Sequence, residues 1–332
     1  MENLKVWDKS APFVFCLSID LIRSTKAGLK LTTAKLDTFN RALVDQIKPH
    51  LEKLELTDAL LKFTGDGWLL MTDQYEKVPN LCCLSIIMAN KFQSEMSRRT
   101  NIVIDRIPSI RIAICSGRDI SVELPDGRKD WVGDSARRAT RASQECSPNQ
   151  ILVNETIKEY VIRDFDFKRK FIERRSKKSS SKKREEQITL HILRGLKPAL
   201  ADDITEVAGY YVYTLETIGK KEDAETFAYK GEKLLTNEAK NLRSTEKEKF
   251  QKILLRWNRL IASFHNYDMT KSNVETMQAV GIQPNVVTYN ALISQAPDYN
   301  TAKTWLDTMR QEGIQPTVGT YNRVISQAPD YD

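Results

Sequence analysis

The chain has 332 residues, with 51 Lys and Arg against 44 Asp and Glu and a formal net charge of +7. This length is sufficient for two domains of ordinary size, and the composition excludes a small protein held together by disulfides. Much of the positive charge lies between Lys168 and Arg184, for which the sequence favours a solvated loop. A surface for nucleic acid or another anionic partner is the alternative for this segment.

The cysteines and the apolar stretches indicate where the protein resides. The five cysteines include no CxxC pair, and four of them lie in apolar stretches, which suits a reducing compartment. The first residues carry no basic-then-apolar targeting signal, and no stretch approaches the ~20 apolar residues of a membrane span. We therefore expect a cytoplasmic protein that makes no membrane contact. Its three histidines are too far apart in sequence to form a zinc site, so any metal should be held by oxygen.

The first predicted element is a buried strand within FVFCLSIDLIRST, residues 13–25, which meets polar residues at Asp20. Apolar residues at helical spacing over Thr33 to Leu54 then predict an amphipathic helix, which Pro49 bends or shortens. The segment LLKFTGDGWLLM, residues 60–71, predicts a hairpin because Asp-Gly accommodates positive φ in a tight turn.

The following elements mix helices and strands in an irregular order. We predict, in turn, a helix over Val78 to Met96, a strand over Ile110 to Cys115, an irregular excursion over Gly117 to Trp131, a helix over Ser135 to Ser143, a strand over Gln150 to Val153, a short helix over Thr156 to Tyr160, and a strand pair formed by Phe165 to Phe171 and Ile188 to Leu193. The strict βαβ rhythm is absent, which predicts an α+β fold.

From Asp202 onward the pattern is helical, with Tyr210, Tyr211 and Tyr213 as expected core residues. A helix is predicted over Phe250 to Phe264. An internal repeat follows, GIQPNVVTYNALISQAPDYN from Gly281 and GIQPTVGTYNRVISQAPDYD from Gly313. We therefore expect two domains, residues 1–200 and 201–332, with repeats at 281–312 and 313–332 in the second.

Two carboxylates are candidate metal ligands. Asp20 ends a central strand and Asp66 lies in the hairpin turn, and together they could hold two hard divalent cations that bridge a triphosphate. Each residue also has an ordinary structural explanation. An aspartate commonly ends a strand by bonding its own backbone, and Asp-Gly is a common hairpin turn.

Three blocks extend this interpretation: SIDLIRST, KFTGDGWLLM and DWVGDSARRATRASQECSPNQILVN. In order and spacing they resemble the catalytic domain of class III nucleotidyl cyclases, the adenylate and guanylate cyclases, over roughly residues 12–198. The resemblance implies a ferredoxin-like, antiparallel-rich sheet flanked by helices. It also implies cyclisation of a nucleoside triphosphate to the 3′,5′-cyclic monophosphate with release of pyrophosphate.

The resemblance assigns a metal and phosphate site. Asp20 and Asp66 stand at the positions of two family aspartates that bind two Mg²⁺ or Mn²⁺ ions, and Leu21 stands where a backbone carbonyl is a further ligand. The backbone of the next residues lies where the family's phosphate loop donates N–H groups; these are Ile22, Arg23, Ser24 and Thr25. Arg23 departs from the small residue that many members have.

The third block implies the positive charge that phosphoryl transfer needs. Arg141 falls on the family's transition-state arginine, and Arg137 falls where the family has an asparagine that orients the ribose. A guanidinium only donates hydrogen bonds, so Arg137 leaves open how the sugar is held. An exposed basic helix face is the alternative for Arg137, Arg138 and Arg141, and is favoured for Arg138.

The same resemblance places Lys62 and Asp130 at the two positions that read the base. One donor and one acceptor can serve adenine, cytosine or uracil. A closer resemblance, in the short N-terminus, DLIRST, GDGW and the Arg-rich helix, is to the bacterial pyrimidine cyclases of anti-phage Pycsar systems. It implies UTP, or CTP, as substrate and a separate effector protein activated by the cyclic nucleotide. Adenylate cyclase is the alternative within the class.

Family sites form between two subunits, which implies a homodimer with two shared active sites.

The repeats resemble pentatricopeptide repeats, in which Asn290 and Asn322 would read RNA bases. One full and one truncated copy are fewer than the three that a stable solenoid needs, so we favour a capping, dimer-supporting or sensing module without nucleic acid. An inactive cyclase-like scaffold, an RNA-binding protein, a phosphodiesterase and a polymerase are the remaining alternatives. The completeness of the set Asp20, Asp66 and Arg141 favours an enzyme.

Overall fold

The chain forms two compact units, Met1–Ala199 and Leu200–Asp332. The computed structural model describes residues 11–22, 33–65, 67–125, 127, 129–170, 189–197, 208–242, 246–264 and 266–328. Outside these ranges lie four of the predicted site residues, Arg23, Ser24, Thr25 and Asp66, and the part of the basic run that follows Lys170.

The first unit is built on a mixed sheet with the strand order β2-β3-β1-β4-β6-β8-β7, and β5 pairs with β4. Among the described strands, β4 and β6 form the one parallel pair, and the other pairs are antiparallel. The strands are β1 (Phe13–Leu21), β2 (Leu60–Phe63), β3 (Gly67–Thr72), β4 (Ile110–Glu123), β5 (Lys129–Gly133), β6 (Ile151–Asn154), β7 (Phe165–Lys170) and β8 (Leu190–Leu196). The predicted α+β fold is confirmed, as are the 60–71 hairpin and the pairing of β7 with β8.

In the described residues of this unit, five α-helices accompany the sheet: α1 (Thr33–Asp45), α2 (Lys48–Lys53), α3 (Val78–Thr100), α4 (Asp134–Ser143) and α5 (Glu155–Val161). The single helix predicted over 33–54 is therefore two helices. Pro49 lies in the first turn of α2, where its missing N–H has no intrahelical partner to lose. The predicted irregular excursion over 117–131 is largely strand, because β4 continues to Glu123 and pairs with β5.

The strand register assigns side chains to the two faces of the sheet. Cys16 of β1 lies opposite Cys115 of β4, and both pack beneath Ala139 and Ala142 of α4. On the opposite face, the ring of Phe15 contacts that of Tyr160 in α5 at 5.5 Å. The Trp68 ring likewise meets Phe92 of α3 at 6.4 Å. Helix α4 thus covers the face that also carries Asp20, since Cys16, Ser18 and Asp20 alternate along β1.

The described residues of the second unit form helices joined by short turns: α6 (Ala208–Thr217), α7 (Lys221–Lys240), α8 (Lys247–Ser263), α9 (Tyr267–Ala279), α10 (Val286–Gln295), α11 (Tyr299–Gln311) and α12 (Val318–Ile325). Tyr210, Tyr211 and Tyr213 are buried in it, as predicted. Within the described residues of both units, no helix is long and apolar enough to cross a membrane.

The repeat begins one copy earlier than the sequence analysis assigned. Trp257 of α8 precedes Tyr289 of α10 by the same 32 residues that separate Tyr289 from Tyr321 of α12. The helix pair α8 and α9 therefore precedes the pair α10 and α11 in the same register. The sequence analysis assigned two copies and did not include this earlier one. The earlier copy keeps the aromatic and aliphatic positions of the repeat but not its TYN and SQAPDY sequences.

Candidate functional site

The carboxyl-terminal end of β1 holds an ion pair. Asp20 lies directly opposite Arg111 of β4. The Arg111 guanidinium donates through Nε at 2.7 Å and lies 2.5 Å through its terminal nitrogen from the same Oδ2 of Asp20. The two side chains are 26% and 21% exposed, so the pair faces solvent at the rim of the sheet. A charged pair of this kind marks the end of a strand that is otherwise buried.

The hairpin β2 and β3 approaches this end of β1 closely. Gly67 pairs with Asp20, and a Cβ on Gly67 would overlap the Ile19 carbonyl oxygen. Glycine is therefore required for β3 to begin beside Asp20. Asp66, the residue before Gly67, lies outside the described residues. Leu21 is buried as the last residue of β1, and the Ile22 backbone N–H donates to Ser109 O at 2.8 Å.

Lys62 and Asp130, separated by 68 positions in sequence, form an ion pair between Nζ and Oδ1. Lys62 projects from β2 on the same sheet face as Asp20, because it lies opposite Leu69, which lies opposite Ser18. Asp130 belongs to β5 and also accepts from the Trp131 backbone N–H at 2.6 Å. The structure thus brings together the two residues predicted to read the base.

Helix α4 carries the predicted arginines on its exposed side. Arg137 and Arg138 both lie beside the Asp134 carboxylate in the first turn, Arg138 at 3.5 Å. The Arg138 side chain is 38% exposed and that of Arg137 51%, so the assignment of Arg138 to an exposed basic face stays a prediction. Arg141, one turn beyond Arg137, is exposed, and none of the described residues forms an ion pair with it.

The described donors at the β1 end are oxygens, which is the chemistry that Mg²⁺ and Mn²⁺ prefer. Asp20 supplies a largely buried carboxylate that already pairs with the Arg111 guanidinium, so a metal ion bound there would share this carboxylate with Arg111. Among the described residues no three His, Cys, Asp or Glu side chains gather into a metal cluster. The residues therefore fit a site in which one carboxylate and backbone carbonyls from β1 are completed by the hairpin turn.

The thiols near this face are not candidate nucleophiles. All five cysteines are free, and burial raises the pKa of Cys115 and that of Cys146 to about 12. Burial also raises the pKa of Cys16 well above its ordinary value. Since the thiolate is the reactive form, these residues act as small apolar core groups.

The repeat asparagines do not form a uniform row. Asn258 of the earlier copy donates to Asn285 and accepts from the Thr288 hydroxyl at 2.6 Å, which ties α8 to α10. Asn290 is half-buried and its Oδ1 has no hydrogen-bond partner. Asn322 is exposed. The three equivalent positions thus differ in accessibility, from buried Asn258 through half-buried Asn290 to exposed Asn322.

Arg111 is the site residue that the sequence interpretation missed. It is the one charged residue in IRIAIC, an otherwise apolar strand, and a charge there must reach the strand's rim or a partner. That signal was available. Its partner, Asp20, could not be identified from the sequence, because the pairing depends on the register of β1 against β4.

Several solved structures are similar to the first unit. They include the guanylyl cyclase domain of the RhoGC fusion protein from Blastocladiella emersonii, at 16% identity over 56% of this chain and 97% of that chain, with a TM-score of 0.44. The adenylyl cyclase CyaB from P. aeruginosa is 16% identical over 57% of this chain and 97% of its own, with a TM-score of 0.46. The guanylate cyclase domain of RhGC from Catenaria anguillulae, in complex with GTP, is 16% identical over 56% of this chain and 98% of its own, with a TM-score of 0.43. At these identities the likeness carries no activity over to this chain.

The second unit matches a family model. Residues 261–328 match the pentatricopeptide repeat domain. The matched segment begins at the end of α8, before the two copies predicted from the sequence. No curated protein sequence matches the chain.

Proposed function

We propose that the first unit is a nucleotidyl cyclase that converts a nucleoside triphosphate into its 3′,5′-cyclic monophosphate and pyrophosphate. The observation that carries this proposal is the contact between Lys62 and Asp130 on the sheet face that also bears Asp20 and Arg111. Residues from distant blocks, assigned to one substrate by resemblance, meet on one face.

Each predicted site residue has a defined role in this proposal. Asp20 and the Leu21 carbonyl would hold divalent cations together with Asp66, and such ions, when bound, acidify the ribose 3′-hydroxyl and neutralise the triphosphate. Arg111 adds positive charge where the phosphates lie. The backbone from Arg23 to Thr25 would donate N–H groups to phosphate oxygens, whereas the Ile22 N–H, also predicted to do so, already donates to Ser109 O. Arg141 stabilises the charge that develops on the α-phosphate, and Arg137 holds the sugar or its neighbouring phosphate.

Lys62 and Asp130 select the base in this proposal. When the pair contacts directly, Lys62 keeps donors and Asp130 keeps one oxygen for a base edge. We propose UTP as the preferred substrate, with CTP and ATP as alternatives, on the resemblance to pyrimidine cyclases. The product would act in the cytoplasm as a messenger for anti-phage defence, through a separate effector protein that binds it.

The active site would be shared between two copies of the chain. Arg141 points away from the sheet of its own chain, since α4 buries Ala139 and Ala142 against that sheet. The β4 and β5 ribbon also exposes apolar side chains, with Ile120 opposite Val132 and both about half exposed. An exposed apolar ribbon beside a charged helix suits an interface in which each chain supplies its arginines to the other.

Mixing two inactive variants tests the shared site. Asp20→Ala removes the metal carboxylate and Arg141→Ala removes the transition-state charge, so each homodimer should lose about 100-fold or more of its activity. A mixed dimer contains one site with both residues intact. The mixture should therefore regain about a quarter of wild-type activity if the subunits pair at random, and up to about half if all dimers are mixed. Asp45→Ala, an exposed substitution on α1, serves as the matched control. No recovery on mixing, with mixed dimers demonstrated, would contradict a shared site.

A further inference from the structure

A fully buried carboxylate, Asp119 of β4, contacts the start of α4. Its Oδ1 accepts from the Ser135 backbone N–H at 2.9 Å, and its Oδ2 accepts from the Ser135 hydroxyl. Both residues have no exposed surface. A buried carboxylate is costly unless it is fully hydrogen-bonded, so this arrangement has a structural or functional reason.

Helix α4 lacks a side-chain cap of its own. Its N-cap residue is Gly133, which provides no side-chain oxygen. The first N–H groups of a helix have no intrahelical partner and carry partial positive charge. Asp119, which is paired with Gly133 across the β4 and β5 ribbon, supplies the missing oxygen from a neighbouring strand.

Two glycines make this contact possible. A Cβ on Gly133 would overlap Oδ1 of Asp119, and a Cβ on Gly117 would overlap the Ser135 nitrogen. The backbones of β4 and α4 therefore meet with no side chain between them. The Asp119 contact holds the start of α4, and further along the helix Ala139 and Ala142 are buried against the sheet with Ala136 packed beside them.

This anchor lies on the same helix as the proposed catalytic arginine. Arg141 follows Ser135 by less than two turns, and no described residue forms an ion pair with its guanidinium. Since none of the described side chains pairs with it, the Arg141 head group is placed by the axis and rotation of α4. A displacement of about 1 Å at such a group costs about 100-fold in rate.

We propose that Asp119 is a positioning residue for this reaction: it caps α4 from β4 and thereby sets Arg141 for the partner chain's nucleotide. The proposal rests on the proposed function. Asp119 contacts neither substrate nor metal in it, and its effect reaches the reaction only through Ser135 and the helix.

Matched variants separate capping from simple burial. Asp119→Ala removes both hydrogen bonds and should lower kcat about 10- to 100-fold, with KM changed less than about threefold, because Arg141 acts in the transition state. Asp119→Asn should retain most of kcat, since the amide oxygen accepts from the Ser135 N–H and the amide nitrogen donates to the hydroxyl. Ser135→Ala keeps the backbone bond and should give a smaller loss. It carries the test if Asp119→Ala does not fold.

Mixed dimers show on which side of the site Asp119 acts. Asp119→Ala mixed with Asp20→Ala should regain activity, because one site then combines an intact Asp20 with an intact α4. Asp119→Ala mixed with Arg141→Ala should show no gain over Asp119→Ala alone. The opposite pattern, or equal rescue by both partners, would overturn the proposal.

Amide hydrogen exchange gives a readout that does not depend on activity. The Ser135 and Ala136 amides should exchange at least about tenfold faster in Asp119→Ala than in Asp119→Asn, while amides of β1 keep their wild-type rates. Unchanged exchange in α4 together with unchanged kcat would overturn the inference. Absence of product from the wild-type chain would overturn the proposed function, and the exchange result would still report whether Asp119 anchors the helix.

Discussion

The ion pair between Asp20 and Arg111 allows a test of the phosphate end of the site that needs no substrate. Asp20→Ala, Arg111→Ala and the double variant form a double-mutant cycle. Exposed pairs contribute about 0–1 kcal/mol and hydrogen bonds to charged groups about 1.5–3 kcal/mol. Each side chain is about three-quarters buried and one carboxylate oxygen accepts both contacts. We therefore expect a coupling free energy of about 1–2 kcal/mol in EDTA.

The assay is urea denaturation of the full chain in EDTA and in saturating Mn²⁺, followed through tryptophan fluorescence, to which Trp68 in β3 and four other tryptophans contribute. If the cation occupies the Asp20 carboxylate, the coupling should fall in Mn²⁺, because the cation then shares the carboxylate that Arg111 contacts. The exposed pair Asp45 and Lys48, at 2.6 Å, is the matched control and should couple by less than about 0.5 kcal/mol. Additivity of the Asp20 and Arg111 effects within about 0.5 kcal/mol in EDTA would refute the pairing.

Further predictions concern the repeats, the thiols and the base. Ile293→Ala should lower the free energy of unfolding of the helical unit by about 2–5 kcal/mol, because Ile293 is fully buried. Ile325→Ala, at the equivalent position one copy later, should change that free energy by less than about 0.5 kcal/mol, because Ile325 is 66% exposed. Equal losses in denaturation would show that α12 is covered. Because burial raises the pKa of Cys16 and Cys115, iodoacetamide at pH 8 should leave both unmodified in the folded chain by intact mass, and rapid labelling of either would contradict the burial. Lys62→Ala should lower kcat/KM for the preferred triphosphate about 10- to 100-fold and for the others less, and an equal fall for all four would remove Lys62 from base selection.

The elements around the site were largely predictable because local signals determine them. The apolar run that ends at Asp20 and the Gly-Asp-Gly turn predicted β1 and the hairpin, and both are observed. The Arg-rich helix was predicted within one residue of α4. In these segments hydrophobic periodicity and turn chemistry agree with the tertiary structure, so sequence reasoning succeeded.

The pairings that connect these elements were less accessible. Asp20 and Arg111 are 91 positions apart, and their contact follows from a strand register that no local pattern specifies. The extension of β4 was missed because Pro125 and the glycines suggested a loop. The alternating Ile120 and Val122 were the overlooked strand signal. Asp119 could not be distinguished from a loop carboxylate until β4 was known to continue past Gly117.

The most direct test of the central claim is the product formed from each ribonucleoside triphosphate. Purified full-length chain is incubated with ATP, GTP, CTP or UTP and Mn²⁺, and the products are identified by mass, with EDTA and the Arg141→Ala variant as controls. The account predicts a 3′,5′-cyclic monophosphate and pyrophosphate, most rapidly from UTP, and loss of both products in each control. Absence of a cyclic product from all four triphosphates, with the protein folded and dimeric, would contradict it.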